Sequence, residues 1–82
     1  MKEKFDYTFL IQKVEERYRG KDFVDKSASM CNRAKVKIFS LREAMKDKYY
    51  FNTQEVYRMK NEMELTDEET IKMFYTIKKE EP

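Results

Sequence analysis

Apolar residues along this chain recur mainly at spacings of three and four, the pattern of amphipathic helices rather than strands. The first stretch puts Tyr7, Leu10, Ile11, Val14 and Tyr18 on one face and predicts a helix from about Asp6 to Arg19. Asp6 is placed to cap the amide donors at its start. Gly20 is placed to end it in the left-handed conformation that costs other residues more. Between Lys21 and Ser29 the pattern weakens. Phe23 and Val24 ask for burial, whereas Ser27 and Ser29 favour caps and turns, so a short helix from about Asp22 to Ala28 is the reading there. From Met30 to about Lys46 helical spacing returns, with Met30, Ala34, Ile38, Leu41 and Met45 on one stripe and Val36 and Phe39 near its border. Two readings fit that stretch. It is one long helix, or a helix to Ala34, a tight turn near Lys35 and a second helix to Lys46.

The last third is punctuated more sharply. Asn52 followed by Glu55, and Thr66 followed by Glu69, are capping boxes, each preceded by an apolar staple candidate, Phe51 or Leu65. The first opens a helix with Val56, Met59 and Met63 inward that stops around Glu64. The second opens a helix to about Lys79 with Ile71 and Phe74 on its apolar side, joined by Tyr75 and Ile77. The expectation is an all-α fold: a compact four- to five-helix domain spanning 1–82, with no second domain.

Composition narrows the chemistry. The hydrophobic share is 40%, rich in Phe, Tyr and Met, which suffices for a core without a metal or a disulfide. One cysteine (Cys31) and no histidine exclude an internal disulfide and the usual zinc sites. A reducing, cytoplasmic setting is therefore expected. No metal or other cofactor is expected, and with a single glycine no phosphate-cradling loop can form. The pairs Glu15-Glu16, Glu68-Glu69 and Glu80-Glu81 are sequence neighbours that diverge around a helix, so they make no paired-carboxylate site, and no enzyme activity is expected. The opening segment has no sustained apolar run, and nothing approaches the length a membrane span needs.

The net charge of +2 hides an uneven distribution. Residues 21–48 carry eight basic and four acidic groups, whereas residues 49–82 carry five basic and eight acidic. A polyanion would feel the middle of the chain.

The run from Met45 to Phe74, MKDKYYFNTQEVYRMKNEMELTDEETIKMF, resembles the second half of small phage repressor domains of the Cro/CI type. The matching places are Met45, Lys46-Asp47, Phe51, Glu55-Val56, Leu65, Glu68-Glu69 and Phe74. FDYTFLIQKVEERYRG looks like that family's first helix and the glycine after it. The middle departs from the pattern. Counting back from Met45 puts the turn at Lys35, where glycine is expected, with Met30 and Ala34 packed before it and Val36 as its apolar residue. Counting forward from Gly20 leaves residues over, which implies an insertion between Gly20 and Lys35.

The resemblance implies a lambda-repressor-like helix-turn-helix within about 22–46 and a phage-type transcriptional regulator, a repressor by analogy, binding double-stranded DNA as a homodimer. Its second helix would run from about Lys37 to Lys46. On it Lys37, Ser40 and Arg42 would reach base edges. Arg33, Lys35, Lys46 and Lys48 would hold phosphates, helped by Asn32 and Tyr49. Phe74, Tyr75 and Ile77 on the last helix would meet a second copy. A different class of function stays open beside it: a protein-interaction module, such as an adaptor or antirepressor, with an exposed strip of Phe23, Phe39 and Tyr50 as its docking surface.

Overall fold

A computed structural model describes residues 4–79 and places five helices in the order α1 Thr8–Arg17, α2 Phe23–Ala34, α3 Ile38–Met45, α4 Thr53–Met63 and α5 Asp67–Tyr75. Of the two readings for Met30 to Lys46, the broken one is found: α2 ends at Ala34 and α3 starts at Ile38. After Gly20, Lys21 and Asp22 lead directly into α2. Ser27 and Ser29 lie inside α2, which runs from Phe23 without a break. Burial overrides their weak helix preference, since Ser27 is inward-facing and only 2% exposed.

Both capping boxes form. Asn52 and Thr66 each accept the amide of the glutamate three residues on, and Glu55 and Glu69 bond back to the capping amides. α2 starts the same way, with the Asp22 carboxylate accepting from the Asp25 amide at 3.0 Å. α1 is shorter than expected. Its Asp6 carboxylate does accept from the Thr8 amide at 2.9 Å, one residue ahead of the formal cap at Tyr7.

Gly20 does not end α1 in a left-handed conformation. The chain turns extended at Tyr18, and Gly20 has no positive φ. The glycine answers a different constraint: a Cβ there would sit 2.6 Å from the Cβ of Asp25. The left-handed positions fall instead on Lys35 (φ 62°), Asp47 (φ 61°) and Glu64 (φ 54°), at the C-terminal ends of α2, α3 and α4. Each closes its helix at a cost that glycine would not incur.

α2 packs against α4, α1 and α3, and α5 closes onto α1 and α4. Leu10 and Val14 of α1, Met30 of α2, Leu41 of α3, Met59 and Met63 of α4, and Met73 and Phe74 of α5 are fully or almost fully buried. Phe51 joins this core edge-on, its ring 5.7 Å from both Tyr7 and Phe74. Polar ties reinforce the packing. Tyr18 donates to Glu62 at 2.9 Å, Arg17 donates to the Met63 carbonyl, Lys26 pairs with Glu15 and Lys13 with Glu69.

α5 stops at Tyr75, short of Lys79. Residues 76–78 run extended against 4–6, with a bridge between Phe5 and Ile77 and amide bonds from Asp6 to Thr76 and from Lys78 to Lys4. Within α5, Ile71 is 62% exposed against expectation, and Met73 and Thr70 take the inward positions beside Phe74. No helix is long and apolar enough to cross a membrane, among the described residues.

Candidate functional site

The basic middle of the chain resolves into α2, a three-residue turn and α3. The turn is tight because Lys35 is left-handed: its amide and that of Val36 both return to the Cys31 carbonyl. Val36 is then buried as the turn's apolar anchor, and Arg58 of α4 donates to the Lys35 carbonyl at 3.3 Å. The Lys35 backbone is thus fixed from both sides while its side chain stays exposed.

α3 is preceded at its cap position by Lys37, whose side chain makes no capping bond, and no acidic residue occupies its first turn. This sets α3 apart. At the starts of α1, α2, α4 and α5 a carboxylate accepts a first-turn amide or sits in the first turn. The positive end of the α3 dipole carries Lys37 beside it and Lys35 two residues back, an arrangement unfavourable for the isolated helix and attractive to an anion.

Along α3, Leu41 and Ala44 face inward, Ile38 and Met45 are half-buried, and Phe39, Arg42 and Lys46 form the outward face. Lys37 and Arg42 are exposed as expected. Ser40 is half-buried on α3 rather than fully exposed. Tyr49 donates to Glu55 at 2.6 Å, so its hydroxyl is committed within the fold. That bond to Glu55, with a smaller contribution from burial, raises the Tyr49 pKa.

The cations expected at phosphates separate into two groups. Lys35, Lys46 and Lys48 are exposed around α3, and Asn32 is exposed beside the turn, in a shallow pocket with Val36 and Ile38. Arg33, near the end of α2, is exposed as well, and its charge is felt at the Tyr18 hydroxyl. Among the described residues, Lys35, Lys37, Arg42 and Lys48 enter no ion pair, whereas Lys13, Arg17, Lys26, Lys60 and Lys78 all do. Lys46 lies between these cases, 3.7 Å from Glu43.

Two expectations about apolar surface need correction. Phe74 is only 2% exposed and belongs to the core, so it cannot meet a second copy; Tyr75 and Ile77 are the exposed members of that set. Phe23, Phe39 and Tyr50 do not form one strip. Phe23 is half-buried between α2 and α3, and Tyr50 stacks on Phe5 with ring centres 5.2 Å apart. Phe39 stands apart, 66% exposed on the outer face of α3. Its place at the border of the α3 stripe was the one sequence signal for that exposure.

The remaining chemistry is quiet. Burial pushes the Cys31 thiol up to about 11, which holds it protonated at neutral pH. Among the described residues no group of three His, Cys, Asp or Glu side chains comes together as a metal site would require. Comparison with protein-family models, with curated proteins and with solved structures gives no match.

Proposed function

We propose that this chain is a sequence-specific DNA-binding transcriptional regulator of the phage Cro/CI sort, with α2, the turn at Lys35 and α3 acting as its helix-turn-helix. The carrying observation is the start of α3, where Lys35 and Lys37 flank first-turn amides that no carboxylate of the described residues meets. A phosphate seated there would gain both the amides and the lysines. Beyond it, the exposed Arg42 would meet a base edge, forking onto guanine O6 and N7. Phe39, one turn earlier on that face, suits a thymine methyl. Lys46 and Lys48 extend the cationic rim for the flanking backbone, and Asn32 supports it beside the turn. The role is binding, without catalysis. Two copies on adjacent half-sites would supply the affinity that a single eight-residue helix lacks.

A second reading draws on one specific observation, the exposure of Phe39 together with Val24, which is 56% exposed on α2. Such side chains also suit a protein partner. A gel shift on the DNA flanking the chain's own gene separates the two. The DNA reading expects a shift at low salt that Arg42→Ala weakens and Phe39→Ala weakens only on T-containing sites. No shift at low salt rejects it.

A further inference from the structure

Three exposed side chains follow one another along α3 at spacings of three and four, Phe39, Arg42 and Lys46. The fold gives the first two nothing to do. Phe39 is 66% exposed, more than any other large apolar side chain among the described residues, and it stands outside the ring contacts gathered around Phe5 and Phe51. Arg42 enters no ion pair among the described residues, whereas Lys46 already has Glu43 at 3.7 Å.

A DNA duplex answers such a pair in one way. Base edges in the major groove present donors and acceptors throughout and a single apolar feature, the C5 methyl of thymine. A phenyl ring can be covered there without stranding a polar group. Cytosine carries hydrogen at that carbon, and methylation of cytosine at C5 puts the same methyl at the same point of the groove. The guanidinium has the complementary need, met by O6 and N7 of guanine. Side chains three apart on a helix are surface neighbours, about 5–6 Å between Cβ atoms. Stacked base pairs are about 3.4 Å apart, so Phe39 and Arg42 reach adjoining pairs.

We infer that the outer face of α3 selects a pyrimidine bearing a C5 methyl beside a guanine, thymine or 5-methylcytosine alike, with Phe39 on the methyl and Arg42 on the guanine. The inference rests on the DNA reading and adds a form of regulation to it. A cytosine in that place is held weakly until it is methylated, so cytosine methylation creates a site that the unmodified sequence lacks.

The test uses the full chain and the duplexes it enriches from a random-sequence pool. Each thymine next to a guanine is replaced in turn by deoxyuridine, which lacks only the methyl, by cytosine and by 5-methylcytosine. Fluorescence anisotropy at fixed salt follows binding. At one such position deoxyuridine weakens binding about three- to fivefold, the scale of one buried methyl, and 5-methylcytosine binds tighter than cytosine by a similar factor. Phe39→Ala, folded as judged by circular dichroism, abolishes both differences and binds the deoxyuridine duplex as the parent does. Replacing the neighbouring guanine by 7-deazaguanine weakens the parent about fivefold and Arg42→Ala no further. Enrichment of no duplex overturns the DNA reading and this inference with it. The inference alone is overturned by enriched duplexes without such a thymine, by equal binding of thymine and deoxyuridine at every position, by equal binding of cytosine and 5-methylcytosine where the thymine methyl counts, or by a Phe39→Ala chain that still prefers the methyl.

Discussion

The Tyr49 hydroxyl donates to Oε1 of Glu55 at 2.6 Å, and the same oxygen receives the Asn52 amide at 2.9 Å. One carboxylate oxygen therefore closes the cap of α4 and holds the segment leaving α3. The segment leaving α3 is thus tied to the start of α4 through Tyr49 and Glu55. Tyr49→Phe should destabilise the domain by about 1–2 kcal/mol, since Glu55, only 8% exposed, loses a donor. Urea unfolding checks this. Parental stability in the variant would show that the bond adds nothing.

Gly20→Ala should be costlier than an ordinary loop substitution. The new methyl would meet Asp25 Cβ at 2.6 Å and the Lys26 amide nitrogen at 3.1 Å, and neither is the free end of a flexible side chain. Relief requires moving the first turn of α2, where Asp22 caps Asp25. A loss of about 1–3 kcal/mol is expected. A melting temperature equal to the parent's would contradict the close approach.

Lys35→Gly should act in opposite directions on stability and on binding. Glycine removes the cost of φ 62° at the turn, partly offset by its larger entropy when unfolded, for a net gain of about 0.5 kcal/mol. The same change deletes a cation at the start of α3. If DNA affinity follows Lys35, Lys37, Arg42, Lys46 and Lys48, log K should fall with log salt at a slope of about −4 to −5, reduced by about 1 in the variant. Fluorescence anisotropy at several salt concentrations reads both slopes, and equal slopes would remove Lys35 from the interface.

Stability should fall in alkali, before any effect on the ionisation of lysine side chains at the surface is needed. Burial lifts Tyr7 to about 12, burial and the bond to Glu62 lift Tyr18 further, and the bond to Glu55 lifts Tyr49. Folded phenols keep their protons above the pH of about 10 at which unfolded ones lose them. Their contribution is therefore complete below about pH 10 and declines above it, as the unfolded state gives up protons first. Chemical unfolding at a series of pH values checks this. Tyr18→Phe should flatten the decline, and a profile with no alkaline fall would refute the assignment.

The parts of the fold that could be read from the chain are those whose causes are local. Asn52 with Glu55 and Thr66 with Glu69 are four-residue devices, and both helices start where these boxes put them. Sequence leaves the break at Lys35 as one of two alternatives because lysine carries no sign that it will turn left-handed; burial of Val36 and the bond from Arg58 hold the turn in the folded chain. Gly20 was read as a helix terminator, and only the approach of Asp25 in the folded chain reveals its actual constraint. The overlong α5 has the same origin. Tyr75 and Ile77 continue a helical spacing, but the backbone there takes its partners from residues 4–6 at the other end of the sequence. For the candidate interface, the positions of Lys37 and Arg42 followed from periodicity. The half-burial of Ser40 and the commitment of Tyr49 to a bond with Glu55 of α4 required the tertiary structure.

The bridge between Phe5 and Ile77 makes the last extended segment a clasp on the first. During synthesis the segment before α1 must therefore wait for almost every later residue before it finds its backbone partner. Removing either extended segment would leave the other's backbone groups without the partners they have here.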